Sequence, residues 1–347
     1  MHNSKQLIVA PFHLFRVNNF TTYLVAKLII RRLRLVEGQY KFLTARNLKT
    51  FTEDQEYTVV SPYPYAPEPF PVKRKFWKGR DRLAKFDLFV ESLTGGRDFA
   101  YYATNFSRRV NQLFASHPKC TEVNFLEEGM ACYQPRSYLE NLTRSYPSTI
   151  YKVRQFLSYG RRLRPWGFAS DLDNYYTITD VAMPGYEIEN VYAEADMLAV
   201  LRAGPVFSLP EAGSVVYVID AAASIGLVSI EEYIAAVRKS FEFIQKRGTE
   251  QYARIYLKFH PEQGREERQA FVNAFLEDGA KVNYVPDKIP LESLLFGEQK
   301  CLFVGNISSV LFYAAYFGKE VRSLHSLFEK KHALKLPAIY WDYVKAL

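Results

Sequence analysis

The chain has 347 residues, 48% of them apolar and 24% charged, which is the balance of a folded protein and excludes an intrinsically disordered one. This length predicts two domains. The formal net charge of +8 favours an anionic partner, such as a membrane surface, an acidic glycan or a nucleic acid, although the sequence contains no known nucleic-acid-binding module. Three cysteines without C-x-x-C spacing argue against a disulfide framework and a zinc site, and they are typical of a reducing cytoplasm.

The positive charge is concentrated in three basic segments, 31–34, 73–82 and 161–164. Basic residues mixed with Trp and Phe suit an anionic surface, and solvated helix faces are the alternative interpretation. No signal-peptide pattern occurs, and no apolar run approaches the ~18 residues that cross a bilayer. We therefore expect a soluble protein, or one that lies on a membrane surface.

The first half of the chain predicts an α/β domain. Gln6–Ala10 is predicted as the first buried strand, Pro11–Asn19 as a loop, and the apolar stretch up to Ile30 as a helix. The Pro-rich segment 61–71 excludes a helix interior or a central strand, and we expect a surface loop there, near a cleft. A further buried strand is predicted at Val123–Leu126.

A regular alternation of strands and helices is predicted after residue 213. The capping box Ser229-Ile-Glu-Glu232 predicts the start of a helix with one apolar face. The other predicted elements are strands at 214–220, 254–259, 281–285, 301–304 and 320–324, helices at 266–278 and 309–317, and a short helix from Pro290. Such alternation predicts a parallel sheet covered on both faces.

We expect four segments along the chain. An N-terminal Rossmann-like domain, 1–201, is joined by a linker, 202–213, to a C-terminal Rossmann-like domain, 214–325. The last segment, 326–347, is a candidate to cross back onto the N-terminal domain. Two domains of this kind would face each other across a cleft with the carboxyl ends of their strands, where open α/β sheets bind ligands.

Two carboxylates and a glycine follow the predicted strand Val123–Leu126. Glu127 and Glu128 are adjacent, and their mutual repulsion in a cleft favours one of them as a general base near neutral pH. Gly129 allows a backbone or a substrate to approach closely. A solvated turn is the alternative interpretation of this motif.

A histidine ends the predicted strand 254–259. His260 is followed by Pro261, and histidine titrates near physiological pH, so that it can protonate a leaving group. Lys258 adds a positive charge beside it. Lone histidines are more often structural, and the second His-Pro pair of the chain, at His117, is interpreted that way.

Two serines stand where the last predicted strand turns into a helix. The free N–H groups and the helix dipole at Ser308 and Ser309 favour an anion, although a serine can also serve only as the helix N-cap. Glu292, in the first turn of the predicted short helix, would bind ribose hydroxyls or complement the helix dipole. Since the chain has no glycine-rich phosphate loop and no evident metal motif, a bound phosphate must rely on the serines and the helix terminus.

Four motifs, in this order and spacing, resemble those of the bacterial sialyltransferases of GT-B fold: Glu127-Glu128-Gly129, Lys258-x-His260-Pro261, Pro290-x-Glu292 and Ser308-Ser309. Size and the Pro-rich first domain are most similar to the lipooligosaccharide sialyltransferases, with the capsular polysialyltransferases a close second. The resemblance implies an α/β protein of GT-B class, with two Rossmann-like domains whose parallel sheets face each other across a cleft.

The resemblance also implies a reaction. Sialic acid would pass from CMP-sialic acid to a hydroxyl of a lipooligosaccharide or capsular glycan, with inversion, without a metal and without a cofactor. Glu127 would be the general base, with Glu128 as the fallback, and His260 would protonate the departing CMP phosphate. The expected donor contacts are Lys258 and Pro261 near the nucleotide, Gly129, Glu292 at the ribose, and Ser308 and Ser309 at the phosphate. Asn18 and Asn19 are candidate contacts to the donor sugar from their position alone.

The expected partners are the CMP-sugar donor and an oligosaccharide or lipid-linked acceptor, with no nucleic acid. The location would be the cytoplasm, with peripheral contact to the anionic inner face of the bacterial inner membrane as an option. The oligomeric state is left open, with a homodimer as one option. One alternative is transfer of another CMP-activated nonulosonic acid or Kdo, since contacts to the phosphate and the cytidine do not distinguish one donor sugar from another. A different class, a non-catalytic basic protein that binds glycans or nucleic acids, has no use for a histidine and a carboxylate at opposed strand ends.

Overall fold

The structure is a computed structural model that describes residues 10–44, 57–59, 78–144, 149, 153, 156–157, 159–163, 167–169, 172–191, 194–202, 213–246, 254–261, 263–287, 289–295, 300–328 and 336–347. The chain divides into two compact units. The first comprises Met1–Glu128 and Cys132–Ala193, and the second comprises Gly129–Ala131 and Glu194–Leu347.

The first unit is built on a parallel sheet with seven strands among the described residues. The strands are β1 (Phe12–Val17), β2 (Tyr40–Thr44), β3 (Tyr57–Val59), β4 (Phe99–Ala103), β5 (Cys120–Leu126), β6 (Asn174–Thr177) and β7 (Glu189–Asn190), and their order in the sheet is β3-β2-β1-β4-β5-β6-β7. The helices are α1 (Phe20–Leu33), α2 (Lys78–Thr94), α3 (Arg109–Ala115) and α4 (Arg136–Arg144), with a 3-10 turn at Met130–Tyr133. Every described pair of neighbouring strands is parallel.

The strand β1 corrects the prediction of a loop over Pro11–Asn19. All six residues of Phe12–Val17 are buried, including two polar side chains that argue against a buried strand when the sequence is read alone. His13 Nδ1 lies 3.0 Å from the Tyr102 hydroxyl, and the Arg16 guanidinium donates to the Asn111 side chain. Buried polar groups are tolerated when they are paired in this way. Most of the strand predicted before this loop, and the whole Pro-rich segment 61–71, lie outside the described residues.

The second unit is built on a parallel sheet with six strands among the described residues. These are β8 (Ser214–Ile219), β9 (Arg254–Phe259), β10 (Val282–Tyr284), β11 (Leu302–Gly305), β12 (Glu320–Ser323) and β13 (Lys345–Ala346), in the order β10-β9-β8-β11-β12-β13. The helices are α5 (Glu194–Arg202), α6 (Ile230–Lys246), α7 (Arg265–Glu277), α8 (Ser309–Tyr316) and α9 (Ile339–Tyr343), with 3-10 turns at Leu291–Leu294 and Leu324–Leu327. The predicted alternation from residue 214 to residue 324 is confirmed within one or two residues at each end.

The C-terminal residues 336–347 belong to the second unit. The short strand β13 pairs in parallel with β12, and Tyr340 in α9 has no exposed surface. The predicted linker falls almost entirely outside the described residues, since the structure resumes at Gly213. Within the part of the chain that the structure describes, no helix is long and apolar enough to span a bilayer.

Both sheets contain a point at which the strand order reverses. In the first unit the chain continues from β1 to one side and returns to its other side at β4, and in the second unit β8 and β11 have the same relation. Loops that follow the two strands diverge at such a point and leave a crevice at the carboxyl ends, where doubly wound sheets bind ligands. The residues after β1, β4, β8 and β11 are therefore the first places to look for function.

Candidate functional site

In the first unit, two asparagines after β1 hold Glu128, which follows β5. The Asn18 amide donates to Thr104 Oγ1 at 2.9 Å and to Glu128 Oε1 at 3.3 Å, which connects the ends of β1, β4 and β5. The Asn19 amide donates to the Glu128 backbone carbonyl at 2.7 Å. Asn19 is also the N-cap of α1 and accepts from Thr22 N at 2.9 Å. The carboxylate of Glu128 is thus oriented at the reversal point of the sheet, and the residue is partly exposed.

The neighbouring carboxylate, Glu127, is completely buried. Its Oε1 accepts from the Tyr133 hydroxyl, and its Oε2 accepts from Ile178 N at 2.8 Å. Tyr133 also lies 3.0 Å from Thr179 Oγ1, and burial followed by the Glu127 charge raises the pKa of the Tyr133 hydroxyl, which stays protonated as a donor. The arrangement anchors the segment after β5 to the segment after β6.

Gly129 completes the motif and has a backbone φ of +146°. This region of backbone conformation is accessible to glycine and strained for other residues. The chain therefore turns immediately after Glu128, and the glycine is required by the backbone itself. Cys132 accepts from Glu128 N at 3.4 Å and closes the turn.

In the second unit, His260 directly follows β9 and therefore lies at the carboxyl end of that strand. The His260 backbone N–H donates to Ile219 O at 3.0 Å and to Gln263 Oε1 at 2.8 Å, and the His260 carbonyl accepts from Arg268. The residue is partly exposed, and Pro261 is an exposed turn residue beside it. The backbone of His260 is thus fixed from several sides in a residue that stays partly exposed.

Lys258 lies in β9, two residues before His260, and its buried side chain binds the loop after β10. Its ammonium donates to the carbonyls of Pro286 at 2.8 Å, Asp287 at 3.2 Å and Ile289 at 2.7 Å. Burial lowers the pKa of Lys258 to about 8, an effect opposed by the charges of Asp287 and Glu292. These bonds fold the chain that leads into the 3-10 turn with Glu292, which is itself buried.

The two serines lie at the start of α8, as predicted. Ser308 is the N-cap, and its hydroxyl accepts from Val310 N at 3.2 Å, while Ser309 is the first helical residue. Both are partly exposed. Since β11 adjoins β8, the helix N-terminus lies at the reversal point of the second sheet, where an anion would meet the positive end of the helix dipole and two hydroxyls.

The sequence-based interpretation missed Asp220 and Tyr340. Asp220 follows β8, and its carboxylate accepts from Ala222 N at 3.0 Å and from Ile307 N at 3.2 Å. The hydroxyl of Tyr340 accepts from Ser308 N at 3.4 Å. A signal existed for Asp220, because the strand Ser214–Ile219 ends on a carboxylate just as β5 does. No local signal distinguishes Tyr340 from the many other tyrosines of the chain.

Each unit therefore brings its own predicted residues to one edge of its sheet. In the first unit, Asn18 and Asn19 both donate to Glu128, while Glu127, directly after β5, is bound by Tyr133 and Ile178. In the second unit, His260, the Lys258 loop and the serines follow three strands of one sheet. Among the described residues, no group of three or more His, Cys, Asp or Glu side chains is placed to hold a metal ion.

Comparison with known proteins gives the family and the fold. The model of the alpha-2,8-polysialyltransferase (POLYST) family matches residues 84–326, well over half of the chain. No curated protein matches the chain. The matching family is the polysialyltransferase branch, which the size of the chain and its Pro-rich first domain had placed second.

Solved structures share the fold at low sequence identity. The UDP complex of MnaA from S. aureus is 11% identical, with a TM-score of 0.52 over 97% of this chain and 84% of that one. The UDP-GlcNAc 2-epimerase of Methanocaldococcus jannaschii with UDP-GlcNAc and UDP is 14% identical, with a TM-score of 0.50 over 97% and 89%. The GT-B domain of a Photobacterium damselae sialyltransferase is 12% identical, with a TM-score of 0.49 over 96% and 98%.

The predicted fold class, α/β with two domains on parallel sheets, is confirmed by the two sheets and by the fold shared with the MnaA and Methanocaldococcus jannaschii structures. The family match covers β4 to β12 and thus both units. The chain belongs to the alpha-2,8-polysialyltransferase family and is a glycosyltransferase of the sialyltransferase type.

Proposed function

We propose that this protein transfers sialic acid from CMP-sialic acid to a hydroxyl of a bacterial surface glycan, with inversion and without a metal or cofactor. The observation that carries the proposal is the family match over residues 84–326, because this range contains every predicted motif residue from Glu127 to Ser309. The name of the family favours an acceptor that already ends in sialic acid and an α-2,8 linkage, as in a capsular polysaccharide. A lipooligosaccharide acceptor is the second candidate.

The donor would bind to the second unit. Ser308 and Ser309 supply hydroxyls and the N-terminus of α8 for the CMP phosphate. Glu292, in the turn held by Lys258, would accept from the ribose hydroxyls. Lys258 itself acts through that turn, since its three donors are engaged by backbone carbonyls.

The general base is Glu128 in this proposal, in place of Glu127. A base must reach the proton that it removes, and Glu128 is partly exposed whereas Glu127 is fully buried and hydrogen-bonded through both oxygens. Glu128 would take the proton of the acceptor hydroxyl as that oxygen attacks the anomeric carbon. The bond from this carbon to the phosphate oxygen breaks, and His260 would donate a proton to the departing CMP. A single displacement inverts the anomeric configuration.

The proposed location follows from the same acceptor. The acceptor would be an oligosaccharide or a lipid-linked glycan on the cytoplasmic side, with the protein bound peripherally to the inner membrane. The basic residues of segment 31–34 are exposed, which supports contact with an anionic surface.

The test is release of CMP from CMP-sialic acid by the purified full-length chain, with EDTA present, with and without an oligosialic acceptor. Release stimulated by the acceptor, and abolished in His260→Ala while CMP binding persists, is expected. His117→Asn is the matched control, since it alters the other His-Pro pair, and it should retain transfer. CMP binding without turnover of this donor would replace sialic acid by another CMP-activated nonulosonic acid or Kdo. Absence of CMP binding would contradict the proposal.

A further inference from the structure

The loop between β11 and α8 is held by a carboxylate that belongs to another strand. Asp220 follows β8, and its Oδ2 accepts from Ile307 N at 3.2 Å while its Oδ1 accepts from Ala222 N at 3.0 Å. The Asn306 side chain is a further hydrogen-bond partner of the same carboxyl group. One side chain thus connects the loop after β8 with the loop after β11, across the reversal point of the sheet.

A tyrosine from the C-terminal residues holds the next position of that loop. The Tyr340 hydroxyl accepts from Ser308 N at 3.4 Å, and its ring stacks on Phe312 of α8 with centroids 6.3 Å apart. Tyr340 is fully buried, and burial raises the pKa of its hydroxyl. The position of β13 beside β12 places this helix next to the start of α8.

The two contacts act on consecutive backbone N–H groups. Ile307 N and Ser308 N would otherwise rotate with the loop, and a helix N-terminus binds an anion well only if its donors already point toward it. With these two groups fixed by the protein, the Ser308 and Ser309 hydroxyls and the remaining N–H groups of α8 keep one orientation before a ligand arrives.

We propose that Asp220 and Tyr340 are positioning residues that brace the Ile307–Ser309 loop for the phosphate of the CMP donor. This inference rests on the proposed function, because it takes the start of α8 as the phosphate site. Neither side chain contacts the reacting atoms in this view. Their effect is confined to phosphate recognition, which distinguishes them from the base and the acid.

The experiment compares the dissociation constants of CMP and cytidine, measured by calorimetry, in full-length variants. The ratio of the two constants isolates the contribution of the phosphate. Tyr340→Phe removes only the hydroxyl, and Asp220→Asn replaces one acceptor oxygen by an NH₂ group. Each should weaken CMP binding by about threefold to tenfold, the effect of one hydrogen bond, with cytidine binding unchanged. The KM for the donor should rise more than kcat falls.

Tyr343→Phe is the matched control, because Tyr343 lies in the same helix and also packs on Phe312, with centroids 5.4 Å apart. Its ratio of constants should equal that of the wild type. An unchanged ratio in Tyr340→Phe, with only a lower melting temperature, would overturn the inference and leave the proposed function intact, whatever the folding of Asp220→Asn. Wild-type protein that binds cytidine and CMP equally would overturn the inference together with the assignment of the donor phosphate to the start of α8.

Discussion

Glu127 and Glu128 are chemically identical neighbours with different surroundings. Successive side chains of an extended segment point in opposite directions, so that one carboxylate enters the core while the other reaches the surface. Glu127 has its hydrogen bonds supplied by Tyr133 and Ile178, and Glu128 is oriented by Asn18 and Asn19. The same substitution at the two positions should therefore have two different consequences.

Glu128→Gln should lower kcat by at least about 100-fold, because the amide cannot accept the proton of the acceptor hydroxyl. Its melting temperature and its affinity for CMP should stay close to those of the wild type. Steady-state transfer kinetics and thermal melts give both quantities.

Glu127→Gln is the matched variant and should have the opposite profile. The amide cannot accept from both Tyr133 and Ile178, and the loss of a buried hydrogen bond costs about 1–3 kcal/mol in the free energy of unfolding. If Glu127→Gln abolished turnover in a stably folded protein while Glu128→Gln remained active, the assignment of the base would have to be reversed.

Lys258 gives a pH-dependent prediction at the residue scale. Burial lowers its pKa from 10.5 in the unfolded chain to about 8 in the folded protein, so that the unfolded chain binds more protons between these two pH values. Stability that depends on Lys258 should therefore rise with pH across this window. Relative to Lys258→Met, the wild type should gain about 1–2 kcal/mol between about pH 7.5 and about pH 9.5, measured by urea unfolding.

The exposed Lys281 supplies the control for this experiment. Lys281→Met removes a lysine from an exposed position and measures the effect of the substitution itself. A constant difference between Lys258→Met and the wild type across the window would mean that Lys258 keeps its proton in the folded protein.

At the scale of elements, β8 and β11 approach each other closely at their carboxyl ends. A Cβ added to Gly305, the last residue of β11, would lie 2.7 Å from the Val218 carbonyl oxygen and 3.1 Å from Leu311. Because the nearest atom belongs to backbone, relief requires the strands to move apart. The glycine thus permits the close pairing that places Asp220 beside Ile307.

Gly305→Ala should lose about 1–3 kcal/mol of stability, as overpacked interiors do, and should also bind CMP more weakly. Chemical unfolding and calorimetry measure the two effects. Gly264→Ala is the matched control, since no atom lies within 4 Å of its added Cβ, and only a small N-cap effect on α7 is expected there. Equal stability of the two variants would show that the strands separate without cost.

The elements also show why the sequence predicted the second unit better than the first. From β8 onward, apolar strands and amphipathic helices alternate along the chain. The local periodicity of apolar residues is therefore enough to predict each of these elements. In β1 the buried His13 and Arg16 conceal the strand, because their partners Tyr102 and Asn111 are about 90 residues away. Distant pairing of this kind is invisible to periodicity. For the same reason the sequence identified Ser308 but missed Tyr340, which contacts Ser308 only through the folding of the sheet.

At the scale of the whole molecule, net charge and proposed acceptor are complementary. The chain carries a formal charge of +8, and each sialic acid residue of an oligosialic acceptor carries a carboxylate. Several basic side chains are already paired within the protein, since Arg161 binds Asp87 and Arg32 binds Glu189. The attraction that remains acts over a distance and is weakened by salt.

The KM for an oligosialic acceptor should therefore rise by about tenfold between about 50 mM and about 500 mM NaCl at saturating donor, because the screening length falls over this range. An acceptor with a single sialic acid, assayed with the same donor concentration, should show a much smaller rise, which separates attraction of the acceptor's charges from any effect of salt on the protein or on CMP-sialic acid. A KM that is insensitive to salt for both acceptors would mean that the positive charge serves another surface. Binding to vesicles with and without anionic lipid would then identify that surface as a membrane.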